Sequence, residues 1–345
     1  MKSLALWYKP KEEKPKDLPK VEMHINIWKL PLEKNLVKKK EFERFIDVGI
    51  LLNNATSVSE LFIYYPAKIE KNQIEDLGVK IVNSADEKLL NTLFNANYNR
   101  NQKANSDYCE ISNSAKEELF SIYKLKESNF SVSDLNHGTK IGICLKGNVP
   151  DNTYIRIRIN HDYTTLFSHI DLPTNAVFQS AFSKTEIIDF RINEARELSN
   201  ELLEHIDNEG VLYFFSKIHF FFICSSREEF QFSHVPFISA RQLEKDRWKN
   251  YIGHDNIKDE AILAYHWKVK QGYEPINDFN SLVQTKYENN SKRTIFKYVL
   301  ILMILTILFN LLSNMIYDGA CSAVKSNDKD SIQTKTSKTL TSCKQ

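Results

Sequence analysis

The chain of 345 residues is 42% hydrophobic and 26% charged, which is the composition of a folded globular protein and excludes a disordered or fibrous one. The 46 basic residues nearly balance the 44 acidic ones, so the chain lacks the basic excess of a typical nucleic-acid-binding protein, and no nucleic-acid partner is expected. The aromatic share of 12%, mostly Phe and Tyr, favours β-strands.

Residues 1–20 are dense in Lys, Glu and Pro, and this composition predicts a charged lead-in outside the core. The apolar stretch within them is too short for the hydrophobic region of a secretory signal peptide. The N-terminal region is therefore expected to remain in the cytoplasm.

Residues 21–272 are expected to form a strand-rich α+β soluble region with a few amphipathic helices. This region is either one domain or two subdomains that meet near residues 147–152. Runs of apolar and aromatic residues between Pro and polar turn residues predict ten strands. They cover residues 21–29, 45–53, 60–65, 108–112, 119–125, 139–145, 153–160, 185–190, 211–224 and 261–269.

Three segments have the apolar spacing of amphipathic helices, namely 86–95, 191–206 and 240–252. The third follows Ser239, has Gln242 in the matching capping-box position and is closed by Gly253. The combination of these helices with the strands gives the α+β class.

The segment from Tyr154 to Asn160 alternates strictly between polar or aromatic residues and isoleucine. In a strand, Tyr154, Arg156, Arg158 and Asn160 lie on one face, and three isoleucines lie on the other face, which is expected to belong to the core. Two guanidinium groups beside an aromatic ring can bind a small anion such as a phosphate or a carboxylate. The alternative is an ordinary solvated face of the sheet.

A second polar cluster is predicted at the junction between a strand and a helix. Its members, Asp189, Arg191, Asn193, Glu194 and Arg196, can converge on a ligand, and Arg191 joins the candidate anion-binding residues. The alternative is that these side chains cap the helix and pair along it.

His161 and Asp162 follow the alternating strand, and a His-Asp pair can supply metal ligands in a phosphohydrolase. No further His or Asp element occurs at a recognisable spacing, which favours a role as turn residues. Neither a nucleotide-binding loop nor a nucleophile elbow nor a zinc-binding pattern is present. The sequence therefore predicts no metal, no cofactor and no identified catalytic residue.

Residues 295–317 are predicted to form a transmembrane helix. From Tyr298 to Tyr317 the chain carries no charge and has about the 20 residues that a helix needs to cross the hydrocarbon layer. The two tyrosines suit the headgroup regions at its ends. Residues 273–294 are expected to be a linker that acts as a hinge, and residues 318–345 a disordered polar tail.

More basic residues precede the predicted membrane helix than follow it, which places the soluble region in the cytoplasm and the tail across the membrane. Those before it are Lys286, Lys292, Arg293 and Lys297, and those close behind it are Lys325 and Lys329. Cys109, Cys144 and Cys224 are expected to be free thiols, whereas Cys321 and Cys343 either pair in an oxidising compartment or stay unpaired.

A polar stripe recurs along one side of this helix at Thr306, Asn310, Ser313 and Asn314. Such groups stabilise association between helices in lipid, so a homo-oligomer is expected. The alternative is that water at the far interface satisfies Ser313 and Asn314, which leaves only Asn310 deep in the bilayer.

These features predict a single-pass membrane protein whose cytoplasmic domain is a sensor or binding module, or an effector that oligomerises through its membrane helix. The expected partners are the lipid bilayer, further copies of the chain, and a small anionic ligand or a protein. One alternative is a membrane-tethered hydrolase with its site at His161 and Asp162 or between Asp189 and Glu194. The other is a scaffold that recruits another membrane protein.

Overall fold

The computed structural model describes residues 2–12, 19–33, 40–84, 87–103, 106–171, 183–254, 256–288 and 292–340. The chain divides into two units. One comprises Met1–Leu172 and Lys184–Glu288, and the other comprises Pro173–Ser183 and Asn289–Gln345. Both sides of the suggested subdomain boundary at 147–152 belong to the first unit.

The first unit is rich in strands, and the described part of the chain contains six α-helices and three single-turn 3-10 helices. The strands are β1 (Ala5–Pro10), β2 (Lys20–Pro31), β3 (Phe42–Asn53), β4 (Val58–Tyr65), β5 (Ile74–Asp76), β6 (Asn99–Asn101), β7 (Tyr108–Ser112), β8 (Glu118–Tyr123), β9 (Phe130–Leu135), β10 (Gly138–Ile143), β11 (Thr153–Ile159), β12 (Ser168–Asp171), β13 (Ser183–Ile192), β14 (Val211–Leu212), β15 (Phe215–Ser225), β16 (Glu229–Ser233), β17 (Ser239–Leu243), β18 (Ile262–Lys270) and β19 (Phe279–Glu288). The α-helices are α1 (Gly78–Val82), α2 (Glu87–Phe94), α3 (Thr164–Phe167), α4 (Asn200–Glu209), α5 (Lys245–Ile252) and α6 (Lys292–Leu340).

A ten-stranded mixed sheet forms the centre of the first unit. Its order is β17-β18-β15-β2-β3-β11-β8-β7-β6, and β5 also pairs with β11. The pairs β15/β2 and β11/β8 are parallel, and the other pairs are antiparallel. Two smaller sheets have the orders β14-β1-β4-β10-β9 and β12-β13-β19-β16.

The central sheet packs against hydrophobic clusters on both faces, although polar side chains alternate with apolar ones in its middle strands β2 and β11. On one face, Val21, Met23 and Ile25 of β2 join the largest hydrophobic cluster. On the other face, Trp28 of β2 and Phe45 of β3 pack in a second cluster with residues of α1, α2 and α5.

An ion cluster is buried between the central sheet and the four-stranded sheet. Lys29 Nζ lies 2.7 Å from a carboxylate oxygen of Glu186 and 2.7 Å from one of Glu228, and Arg44 Nη2 lies 3.2 Å from Glu186. Burial alone raises the pKa of Glu186, but Lys29 and Arg44 together outweigh it and hold that pKa below its ordinary value. The four side chains therefore form a charge-balanced group inside the unit.

Nine of the ten predicted strands are confirmed, whereas the one predicted at 211–224 is divided into β14 and β15, which belong to different sheets. The boundaries of the strand-rich region also differ from the prediction. The lead-in at 1–20 contains β1, in which Leu6 and Trp7 are fully buried because β1 pairs with β4 and β14. The linker predicted at 273–294 contains β19, which pairs with β16. Each of the two segments therefore contributes a paired strand to the first unit.

Of the three predicted helices, 86–95 is confirmed as α2, whose described bounds are Glu87–Phe94. The helix predicted at 191–206 begins only at Asn200, because β13 continues to Ile192 and Asn193 then turns the chain with φ of 53°. The one predicted at 240–252 begins at Lys245, because Ser239–Leu243 pairs with β18 instead. Its predicted end at Gly253 is confirmed by a left-handed C-cap.

The second unit contains α6. One stretch of it, Ile295–Cys321, has a mean hydropathy of 2.4 and is long and apolar enough to cross a membrane. The predicted membrane segment at 295–317 lies within this stretch. The helix continues to Leu340, where a disordered tail was expected, and residues 341–345, including Cys343, lie outside the described residues.

Candidate functional site

A cleft with a volume of about 530 Å³ lies on the face of the central sheet opposite the largest hydrophobic cluster. Its base consists of neighbouring side chains from β2, β15 and β18. The end of α2 and the segment that follows it, the strand β17, and Trp248 of α5 supply the rest of the lining, with Arg156 of β11. The volume is within the usual range of small-molecule sites.

The alternation of β2 explains why polar groups line this cleft. Val21, Met23 and Ile25 point into the core, so the residues between them, Glu22 and His24, point the other way. The neighbouring strand β15 is in register and follows the same alternation. It therefore places a further histidine and a lysine beside them, with the pairs Lys217↔Glu22 and His219↔His24.

Glu22 joins two histidines at the base of the cleft. Its Oε1 atom lies 3.2 Å from Nε2 of His24 and 3.4 Å from Nε2 of His219. Nδ1 of His219 lies 2.8 Å from Nε2 of His266 on β18. The ammonium group of Lys217 donates to the other oxygen of Glu22.

Burial sets the charge states of this cluster. Desolvation lowers the pKa of His24 to about 4. Burial, with the charge of His219 beside it, lowers the pKa of His266 to about 3. Burial raises the pKa of Glu22, but hydrogen bonds from His219, His24 and Lys217 lower it by more. At neutral pH the cleft therefore holds uncharged His24 and His266 beside an ionised Glu22.

Arg156 is buried at the wall of the cleft and is only partly satisfied. Its Nε donates to Tyr251 Oη at 2.7 Å, and its Nη1 donates to Tyr154 Oη at 2.8 Å. Its Nη2 has no hydrogen-bond partner among the described residues, and the nearest carboxylate oxygen, Oδ2 of Asp47, is 4.0 Å away. Asn26 Oδ1 and Trp248 Nε1, which also line the cleft, are buried without a partner there too. Buried polar atoms rarely lack partners, so these three atoms are available to a polar group that enters the cleft.

Gly49 of β3 makes the close packing at Arg156 feasible. A Cβ atom at this position would lie 2.2 Å from Tyr154 Oη and 3.1 Å from Arg156 Nη1. Arg156 and Gly49 are directly opposite in the β11/β3 pair, and His24 is opposite Gly49 in the β2/β3 pair. The absence of a side chain at 49 therefore lets Tyr154, Arg156 and His24 meet.

The predicted face of β11 is neither solvated nor a shared ligand patch, because α5 covers it. Tyr154 and Arg158 are fully buried. Arg158 is occupied by Asp47, with Nε to Oδ1 at 2.7 Å, and by the carbonyl of Ile252 at 2.6 Å. Asn160 follows the end of β11 and does not line the cleft. Arg156 alone lies where an anion-binding group was expected. The predicted apolar face is confirmed, since all three isoleucines join the core.

The remaining predicted residues lie outside the cleft. Arg191 is engaged by Asp189, with Nη2 to Oδ2 at 2.5 Å, and by Glu197 at 2.7 Å. His161 contacts Tyr65 Oη at 3.0 Å, whereas Asp162 accepts from the backbone of Thr164 at 3.0 Å. Asn193 Oδ1 accepts from the backbone N–H of Leu6 at 2.8 Å, and Glu194 pairs with Arg196 at 2.8 Å.

The contacts of His161 and Asp162 fit the alternative of turn residues. The charged side chains of the second cluster pair locally, but none of them caps α4, because that helix begins at Asn200 with Ser199 as its N-cap. These contacts bring together neither a metal-binding set at His161 nor a ligand site between Asp189 and Glu194.

Sequence reasoning missed the residues that form the base of the cleft. Glu22, His24 and Asn26 alternate with apolar residues in β2, and Lys217 and His219 do the same in β15. This alternation was a usable signal for a polar face. These side chains meet only because β2 and β15, which are far apart in the chain, pair in parallel. The periodicity of each strand does not specify that pairing.

The membrane candidate α6 carries the predicted polar stripe as four exposed side chains, Thr306, Asn310, Ser313 and Asn314. Thr306 Oγ1 donates to the carbonyl of Leu302 at 2.8 Å, so its hydroxyl is satisfied within the helix. Asn310, in contrast, lies near the middle of the apolar stretch Ile295–Cys321, and its side chain is exposed.

Comparison with known proteins adds no family to this description. No protein-family model matches the chain, and no curated protein matches it. The geometry of the cleft and the properties of α6 are thus the basis for a functional proposal.

Proposed function

We propose that the chain is a single-pass membrane-anchored binding module whose strand-rich domain faces the cytoplasm and binds a small organic anion in the cleft. The membrane helix anchors this module and associates with further copies of the chain. In this function, binding at the cleft is the sensing event, and the bilayer and the other copies are the partners of α6.

The observation that carries the proposal is the charge imbalance at Arg156. Two buried guanidinium groups, Arg156 and Arg158, share the single carboxylate of Asp47. Arg158 takes both oxygens of that carboxylate, at 2.7 and 3.2 Å, and Arg156 is left at 4.0 Å. A buried charge without a close counter-ion is unfavourable, so an anionic group at Nη2 of Arg156 would stabilise the unit.

The other side chains of the cleft favour the same class of ligand. Arg156, Lys217, Arg241 and Lys268 line it, against the single carboxylate of Glu22. This excess of cations attracts an anion from solution. The lining also includes four aromatic rings, those of Phe94, Tyr98, Phe221 and Trp248. Aromatic rings pack against planar groups, so the anion that fits best carries a planar ring together with its carboxylate or phosphate.

The anchoring part of the proposal is supported by the apolar stretch of α6. The excess of basic residues before it, compared with those after it, favours a cytoplasmic binding domain. Cys321 is exposed at the end of the apolar stretch. In intact cells that carry the Cys343→Ser variant, a membrane-impermeant thiol reagent is expected to label Cys321 from outside, and the further change Cys321→Ser should abolish the label. Labelling that appears only after the cells are opened would overturn the orientation.

The binding proposal is tested on full-length chain in detergent with EDTA present. The probes are a panel of ring-bearing anions, with adenosine monophosphate as a phosphate and indole-3-acetate as a carboxylate, measured by calorimetry against their uncharged analogues. We expect at least one anion to bind with one site per chain, and Arg156→Met to weaken its binding by about tenfold or more, the effect of one lost charge-assisted contact.

Arg191→Met is the matched control, because Arg191 also lies on a strand but outside the cleft. It should bind as the wild type does. The proposal is wrong if no anion of the panel binds, or if Arg156→Met binds as tightly as Arg191→Met.

A further inference from the structure

Three side chains at the base of the cleft have the donor types of a transition-metal site. Glu22 and His24 come from β2, and His219 comes from the adjacent strand β15. One donor atom from each lies within 4.8 Å of the other two. We propose that Glu22, His24 and His219 bind one divalent transition metal, with Zn²⁺ as the best fit, and leave a coordination position open towards the cleft.

Two of the distances within this group match the edges of a tetrahedral site. With metal–ligand bonds of about 2.0 to 2.1 Å at tetrahedral angles, neighbouring ligand atoms lie about 3.3 Å apart. Glu22 Oε1 is 3.2 Å from Nε2 of His24 and 3.4 Å from Nε2 of His219. Both separations are also within reach of a hydrogen bond, so without a metal the two rings donate to Glu22. A metal ion between these atoms requires little movement of the strands.

The outer nitrogen of each histidine has a partner that fixes the ring. His24 Nδ1 lies 3.2 Å from Tyr154 Oη, and His219 Nδ1 lies 2.8 Å from Nε2 of His266. Metal-binding histidines almost always donate their second N–H to such an acceptor. On metal binding each ring would therefore carry its proton on Nδ1 and direct the lone pair of Nε2 to the metal, whereas without a metal Nε2 carries the proton and donates to Glu22. His266 itself is held by stacking on Phe221, with ring centroids 4.2 Å apart. His266 is therefore a positioning residue for His219.

The donor set specifies the kind of site. Two histidines and one glutamate are the ligands of zinc sites that keep a fourth position for water or a bound molecule. Neutral imidazole and carboxylate donors suit Zn²⁺ better than they suit Ca²⁺ or Mg²⁺, which prefer oxygen atoms alone. The metal site goes beyond the proposed anion binding, because it requires no anion and is measurable without one.

Lys217 provides a test that separates a metal site from a cluster of hydrogen bonds. Its ammonium group is paired with Glu22, and a cation beside a metal ion opposes binding of that ion. Lys217→Met is therefore expected to bind the metal more tightly than the wild type. If the cluster has only a structural role, the same substitution removes a hydrogen-bond partner of Glu22, and no metal binding is measured in either protein.

The experiment uses full-length chain in detergent, treated with EDTA and then freed of it. Zn²⁺ alone is titrated by calorimetry, and Co²⁺ is titrated by its visible absorption, which is intense only for tetrahedral coordination. We expect one Zn²⁺ per chain. Glu22→Gln and His219→Gln should each weaken it by more than the roughly 100-fold that is the upper range for outer partners, and His266→Gln by about 10- to 100-fold.

His169→Gln is the control, since His169 is exposed on β12 and lies outside the cleft. It should leave Zn²⁺ affinity unchanged. His219 is partly exposed, with 16% of its side chain accessible, so His219→Gln is informative even if variants of the buried His24 do not fold. The inference is overturned if no stoichiometric Zn²⁺ binds, or if Glu22→Gln and His219→Gln bind it as the wild type does. Since anion binding is measured in EDTA, either result stands independently of the other.

Discussion

Asp47 is the residue whose substitution should destabilise the first unit most clearly. Its carboxylate is fully buried and accepts from Arg158 Nε at 2.7 Å, Tyr251 Oη at 2.9 Å and Trp28 Nε1 at 2.8 Å. Asp47→Asn keeps the shape of the side chain but removes the carboxylate that lies beside two buried guanidinium groups. Its amide group would also direct N–H donors at groups that are themselves donors.

The magnitude follows from the burial of every partner. Breaking a buried ion pair by removing one member costs about 3 to 5 kcal/mol, because the remaining charge has no compensation. A folded domain has a total stability of about 5 to 15 kcal/mol, so this loss is a large part of it. Adding Arg158→Met to Asp47→Asn removes one uncompensated charge and should recover part of the stability.

Urea unfolding of the detergent-solubilised full-length chain measures the loss by tryptophan fluorescence. All four tryptophans, Trp7, Trp28, Trp248 and Trp267, lie in the first unit, so the signal reports on the binding domain and not on α6. The control is Asp134→Asn, which removes the carboxylate of a surface pair that is 73% exposed. A loss in Asp47→Asn no greater than in this control would refute the reasoning from burial.

Three further predictions address other parts of the chain. Because the folded-state pKa of Glu186 is lowered, its ionised form stabilises the fold above the ordinary glutamate pKa of about 4.3, and this contribution is lost as the pH falls through the lowered value. Urea titrations should therefore show a shallower acid-induced loss of stability in Glu186→Gln than in the wild type, and a steeper one would contradict the sign. Asn310→Leu should weaken self-association in detergent by about 0.6 to 2 kcal/mol in sedimentation equilibrium, and Thr306→Val should not, because its hydroxyl is already bonded within the helix. Deletion of residues 295–321 should move the chain from the carbonate-resistant membrane fraction to the soluble fraction, and retention in the membrane would exclude α6 as the anchor.

Local pattern was enough to predict the longer central strands, but it missed β1, β5, β6, β9, β12, β16, β17 and β19. The short run from Leu4 to Tyr8 is followed by a charged, Pro-containing segment, so composition averaged over residues 1–20 concealed β1. Its burial results from pairing with β4 and β14, which are distant in sequence. Similarly, the segment Ser239–Leu243 pairs with β18, and this overrides a helical spacing that fitted equally well.

The candidate site shows the same limit. Alternation correctly placed Arg156 and Arg158 on one face of β11, but it treats the two arginines as equivalent. They differ because Arg158 donates to both carboxylate oxygens of Asp47, on the neighbouring strand, whereas Arg156 remains 4.0 Å from that carboxylate and lines the cleft. Which arginine is engaged depends on cross-strand register, and register comes from the assembled sheet.

The hydroxyl of Tyr154 contacts two of the side chains that line the cleft, one from each proposed site. It contacts Nη1 of Arg156 at 2.8 Å and Nδ1 of His24 at 3.2 Å. A change in the hydrogen bond between this oxygen and Arg156 therefore affects its hydrogen bond with His24, and the reverse also holds. If both proposed ligands bind, their affinities are therefore thermodynamically linked through this oxygen, and each should change the other's dissociation constant by the same factor. Removal of the hydroxyl in Tyr154→Phe should then weaken this linkage and leave the direct attraction between the metal ion and the anion.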